Sequence, residues 1–210
     1  MTDPLLSIAD YRRIYEVIYT VLEASEIATT HRACLFFASA GTLILREHYG
    51  FAATISTGCL ALVVDGRTPP NTVIYGRQED GCFQIDSDAF HAWVECDGWL
   101  IDFMAPIMNI SLREDGCDWD IPRKMLQKRL TSKKQHLSEL NQEGDFFIDH
   151  DSSLAESLID EQPEQFADLL GVCVSWFKRP PQPLPKVGMM DNYGTVTYLS
   201  AAAPEIEAAW

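Results

Sequence analysis

Twelve consecutive residues, Cys34 to Leu45 ("CLFFASAGTLIL"), are apolar or small on nearly every face. A surface helix keeps a polar stripe, and this run has none, so as a helix it must be surrounded by other elements. That requirement sets the plan of the chain. "SIADYRRIYEVIYTVLEA" supplies one partner. Ser7 followed by Asp10 resembles a capping box. Tyr11, Ile14, Tyr15, Ile18, Val21 and Leu22 then fall on one face at helical spacing. Thr29 and Thr30 offer an N-cap for the buried helix, and Gly50 offers its stop.

The texture then changes. "FAATISTG" and "CLALVVDG" are β-rich and separated near Gly58, "GRTPPNT" is a loop, and "VIYG" and "CFQID" are short strand candidates. "HAWVECDGWLIDF" follows as a strand pair. Helix, helix and then several strands favours α+β over an alternating α/β order. Further on, "WDIPRKMLQKRL" (119–130) reads as a helix with "DWD" (118–120) as its cap region. "SSLAESLIDE" and "PEQFADLLGVCVSWF" read as two more helices, the second with Pro163 near its first position. "RPPQPLP" (179–185) is a polyproline stretch suited to a linker or surface arm. The tail "GTVTYLSAAAPEIEAAW" is open between one strand and none. The expected organisation is one domain over residues 1–176 and a proline-rich C-terminal extension over 177–210.

The 210 residues are enough to bury a core without staples. A net charge of -15 repels phosphate backbones and anionic membrane surfaces, which argues against both as partners. No apolar run is long enough to span a bilayer, and the N-terminal residues lack the pattern of a secretory signal. The expected location is the cytoplasm, where the six cysteines remain free thiols.

Asp97-Gly98 is preferred chemistry for a two-residue type I′ hairpin loop. With that loop, Cys96 faces Trp99 and Trp93 faces Asp102. His91, two residues from Trp93, shares the face of Asp102, and the two become diagonal neighbours about 7–8 Å apart between Cα atoms. A one-residue slip would separate them onto opposite faces. Ala92, Val94, Cys96, Trp99, Ile101 and Phe103 share the other face and suit a core. A His–Asp pair can be two polar groups satisfying each other on a solvent face. It can also be an imidazole held in one tautomer with its second nitrogen free for work. Cys34, at the start of the buried helix, stands where the helix dipole and free N–H groups lower a thiol pKa and can hold an oxyanion. Its plain alternative is a small buried hydrophobe.

Cys at the head of a buried helix, then strands, then His on one strand and Asp on the next, resembles the transglutaminase-like branch of the papain-like superfamily. The matching text is "CLFFASAGTLILREHYGFAATISTG" and "HAWVECDGWLID", over roughly residues 28–105. A similar "CL…A" helix and "HAWVE…DG" occur in the leader peptidases of lasso-peptide maturation. The resemblance implies a papain-like, transglutaminase-type core with a Cys-bearing helix on an antiparallel sheet. It implies Cys34 as nucleophile, His91 as general base and acid, and Asp102 as the residue that orients His91. It implies thioester-forming chemistry on a peptide, amide or acyl substrate, with no cofactor and no metal. One feature departs from the pattern: the chain has no Gln before residue 78 to serve as the usual second oxyanion donor.

Two rivals stand beside this. A metal site would draw on His91, Cys96 and Asp102, or on Asp145, Asp149, His150 and Asp151. The first set lacks zinc-like spacing, and the second reads as an acidic loop. A catalytically silent scaffold that binds a peptide or protein is the other. Trp93 and Trp99 fit either the site or the core, and the sequence leaves substrate identity and oligomeric state open.

Overall fold

The computed structural model describes residues 4–79, 82–151 and 153–210. Helix α1 (Ile8–Ser25) is capped by Ser7, whose hydroxyl accepts the Asp10 N–H at 3.1 Å and donates to Asp10 Oδ2 at 2.5 Å. Its apolar stripe is buried from Tyr11 to Leu22. Helix α2 (Cys34–Ile44) is the buried run, and ten of its eleven residues are buried. The eleventh, Leu43, lies beside a small apolar cavity. Packing is tight at Gly41, where a Cβ would lie 2.4 Å from the Phe103 ring. A π-type turn over Leu45–Tyr49 ends the helix at Gly50, which takes φ 70°.

The start of α2 differs from the expectation. Thr30–Arg32 form a short 3-10 turn, and Ala33, with no side-chain cap, precedes Cys34. The turn is fixed from outside: His31 Nε2 meets Glu114 Oε2 at 2.7 Å, and Arg32 meets Asp115 Oδ1 at 2.7 Å. Cys34 is therefore the first residue of the helix.

The strands are β1 (Thr54–Val63), β2 (Thr72–Tyr75), β3 (Arg77–Glu79), β4 (Cys82–Gln84), β5 (His91–Cys96) and β6 (Trp99–Asp102). Then come α3 (Met108–Glu114), β7 (Lys124–Arg129), β8 (Phe146–His150), α4 (Leu154–Asp160), α5 (Glu164–Trp176), β9 (Gly188–Met190), β10 (Val196–Tyr198) and β11 (Ala208–Ala209). Seven strands form one sheet in the order β11-β7-β6-β5-β1-β2, with β8 also on β1. All pairs in it are antiparallel except β11 with β7, which is parallel. The architecture is α+β. β3 with β4, and β9 with β10, form two small separate hairpins.

Two expectations change here. Residues 119–130 do not form a helix: Lys124–Arg129 is strand β7, paired to β6 from Trp99↔Arg129 to Asp102↔Leu126. Its Lys, Met, Leu, Gln and Arg residues favour helices in isolation, and the open edge of β6 overrides that preference. β1 runs unbroken through Gly58, which takes φ 153°. A Cβ there would lie 2.0 Å from the Asp149 carbonyl oxygen, so this glycine admits β8 to the sheet.

Both faces of the sheet are covered. On one, Ala92, Val94, Cys96, Trp99, Ile101 and Phe103 pack with residues of α1, α2 and α5. On the other, Trp93, Leu100, Leu126 and Phe146 pack with Met108 and Ile121. Buried on both sides, the central strands show continuous apolar runs where a half-exposed strand would alternate. Residues 177–210 lie back on this body. Phe177 and Leu199 are in the core, Trp176 Nε1 donates to the Pro185 carbonyl at 2.8 Å, and β11 lengthens the sheet. No helix among the described residues is long and apolar enough to cross a membrane.

Candidate active site

The hairpin forms in the register that Asp97-Gly98 predicts. Cys96 pairs with Trp99 and Val94 with Ile101, and both loop residues take positive φ (49° and 75°). His91 and Asp102 consequently share a face and meet: Nε2 lies 2.9 Å from Oδ2. The hairpin is central, between β1 and β7, and the two side chains are 1% exposed. Each carboxylate oxygen has a partner, and the backbone of Asp102 is held as well. Oδ1 accepts the Met104 N–H at 2.8 Å, and the buried Tyr11 hydroxyl donates to the Asp102 carbonyl.

This arrangement assigns roles to the imidazole nitrogens. With Nε2 on Asp102, Nδ1 is the free nitrogen, buried and without a well-formed hydrogen bond. Cys34 is close enough to the ring to raise its pKa, without a formed hydrogen bond to Nδ1. Burial alone would lower the His91 pKa, but Asp102, through charge and hydrogen bond, and then Cys34 outweigh it and push it up to about 10. Cys34 also heads α2, where the first N–H groups lack intrahelical acceptors and face negative charge. The structure brings His91 and Asp102 into contact, and Cys34, at the head of α2, is tied to them only through its effect on the ring's pKa.

Cys34 opens onto a cleft of about 680 Å³ between the start of α2, the 87–90 turn and the α4–α5 corner. Leu35, Phe36, Phe90 and Phe166 form its apolar wall, and Asp88 and Glu161 its acidic rim. A second cavity of about 400 Å³ shares Ile27 and Gln165 with it and leads to the β9–β10 hairpin. The cleft holds Gln162 and Gln165, far later in the chain than the position where an upstream Gln was sought.

One aromatic of the site carries no signal in the sequence. The Tyr75 ring stacks on His91, with centroids 4.1 Å apart and planes 15° apart. Only the β1–β2 register, Leu60↔Tyr75 beside Gly58↔His91, puts them together. Trp93 is a core residue of the second face, its Nε1 on Glu95 at 3.0 Å, and Trp99 is buried under Arg129 at 4.2 Å.

The other donor sets do not converge. Cys96 points to the face opposite His91, into the helix-side core. Asp149 and His150 lie in β8, with His150 on Glu95 at 2.5 Å, and Asp151 caps α4. Among the described residues no group of three or more His, Cys, Asp or Glu side chains is placed to hold a metal ion.

The family described as "Protein of unknown function (DUF2026)" matches residues 7–210. A crystal structure of a genomics target matches with a TM-score of 0.84 and 27% identity, covering 100% of this chain and 99% of that one. No curated protein matches the chain.

Proposed function

We propose that this chain, which belongs to the DUF2026 family, is a thiol-dependent hydrolase or acyltransferase of papain-like, transglutaminase type. The observation that carries the reading is the fixed imidazole: Asp102 holds Nε2 at 2.9 Å, which leaves Nδ1 for the thiol at the helix N-terminus. In the reaction the proton shared by Cys34 and His91 rests on Nδ1 of a ring whose pKa is pushed up to about 10, and the sulfur attacks an amide, ester or thioester carbonyl. The oxyanion draws on the first N–H groups of α2. His91 then gives its proton to the leaving group, and a thioester remains on Cys34. Water or an amine, deprotonated by His91, attacks it and frees the sulfur. Asp102 keeps the proton on Nε2 throughout, and no metal or organic cofactor enters these steps.

The two neighbouring cavities, which share Ile27 and Gln165, suit a long, narrow acyl donor such as a peptide. Asp88, Glu161, Glu26 and Asp168 line them with one cation, Arg32, that is already paired to Asp115 and Glu114, so the fit favours neutral or basic substrates. Cys34, Cys59, Cys96, Cys117 and Cys173 are free thiols, which suits the reducing, cytoplasmic setting of this proposal.

The test is profiling with peptide aldehydes, vinyl sulfones and activated acyl esters, read by peptide-level mass spectrometry. Adducts concentrated on Cys34 and lost in His91→Ala are expected. Labelling spread over Cys34 and Cys117 alike, indifferent to His91→Ala, would defeat the reading. Peptide binding without any adduct would leave a silent scaffold in its place.

A further inference from the structure

The Tyr75 hydroxyl is a buried polar group without a hydrogen-bond partner. Such groups are rare in folded proteins and invite an explanation. Its ring lies flat on His91 at 4.1 Å, which brings the hydroxyl into the field of the same centre. Burial holds its pKa up, and Asp102 and then Cys34 act in the same direction. The oxygens of Asp102 already have donors: His91 on Oδ2, Met104 N–H on Oδ1 and Tyr11 on the backbone carbonyl. Cys34 is the remaining acceptor, and its sulfur is a strong one when it carries negative charge.

We propose, resting on the reading of Cys34 as nucleophile, that Tyr75 supplies a hydrogen bond to the negative charge that forms on the Cys34 sulfur. The step is a proton shift: the S–H bond breaks and N–H forms at His91 Nδ1. The Tyr75 O–H donates to the sulfur without giving up its proton. Burial together with the neighbouring charges holds the phenol well above its ordinary pKa, so it remains a donor at working pH. The ring face keeps the imidazole in place while the hydroxyl stabilises the thiolate. This gives the centre a donor to anionic sulfur in a chain that lacks an upstream Gln. The other titratable or charged groups around it have fixed partners or lie outside. Tyr11 is committed to Asp102, Arg32 to Asp115 and Glu114, and Asp88 and Glu161 stand on the cleft rim.

The test is the pH profile of Cys34 alkylation by iodoacetamide, in the intact chain and in Tyr75→Phe, read by mass spectrometry of the Cys34 peptide. Phe keeps the stack and removes only an unpartnered hydroxyl, so melting should be unchanged or slightly raised. The expected result is a rate roughly tenfold or more lower at pH 6, from the loss of a hydrogen bond to a charged group, with the same plateau at high pH. Profiles that superimpose would overturn the proposal. So would a marked loss of melting temperature, since it would mean the hydroxyl has a structural partner. Failure of the nucleophile reading is distinct: the unmodified chain would alkylate Cys34 no faster than Cys117.

Discussion

Asp102→Asn separates a working pair from a merely satisfied one. The substitution preserves shape and leaves Oδ1 to accept the Met104 N–H at 2.8 Å. It replaces the oxygen 2.9 Å from His91 Nε2 with an NH₂ group. That nitrogen then needs a lone pair on Nε2, which drives the ring proton to Nδ1, the position that must accept from Cys34. A charge-assisted hydrogen bond is worth about 1.5–3 kcal/mol, or roughly a 10–150-fold change in the thiolate–imidazolium population. Asp102 also supplies the largest upward push on the His91 pKa, and that push is lost with the charge. The assay is alkylation of each cysteine between pH 5 and 9, resolved by peptide. Cys59 and Cys96 serve as internal controls, since burial pushes their pKa values up to about 12 and about 11. Cys34 should react fastest in the parent protein and slow by roughly 10–100-fold below pH 8 in Asp102→Asn. A change of less than twofold, with the variant still folded, would mean that the pair does not prepare the thiol.

Three further outcomes are expected. His91 holds its proton more tightly in the folded chain, about 10 against 6.5, so its stabilising contribution is complete below pH 6.5 and is lost as pH rises through 10. Chemical denaturation at pH 6, 8 and 10 should show His91→Asn lacking that alkaline loss, whereas a pH-independent difference would contradict it. Gly41→Ala should cost about 1–3 kcal/mol by forcing a methyl into the Phe103 ring, seen as a Tm lowered by roughly 2–12 °C. Gly58→Ala should do more damage, because its Cβ meets backbone at Asp149 and its φ of 153° disfavours a side chain. A Gly58→Ala protein with unchanged Tm and unchanged Cys34 reactivity would refute that account of β8.

The sequence carried the site better than the sheet around it. Asp97-Gly98 determines the register of β5 and β6 from local chemistry, and the register alone brings His91 to Asp102. The apolar run of α2 places Cys34 at a buried helix start in the same way. What stayed hidden depends on contacts distant in the chain. β7 looks helical because its helix-forming side chains say nothing of the β6 edge it joins. Gly58 reads as a break, because only the approach of Asp149 shows why the strand needs a glycine there. β8 carries Asp149 and His150 and reads as an acidic loop, since its pairing with β1 spans most of the chain. Tyr75 carries no signal for the same reason: nothing local ties "VIYG" to His91.

Of the three residues, Cys34 alone lines the cleft, and the two behind it are sealed from solvent. An acyl group seated on that sulfur therefore blocks the passage through which the next reactant must come. A short acyl group leaves space for a water molecule beside it, whereas a bulky one delays release until an amine of suitable shape slips in. Whether the protein cleaves or transfers would then be decided by how fully its first substrate fills the doorway.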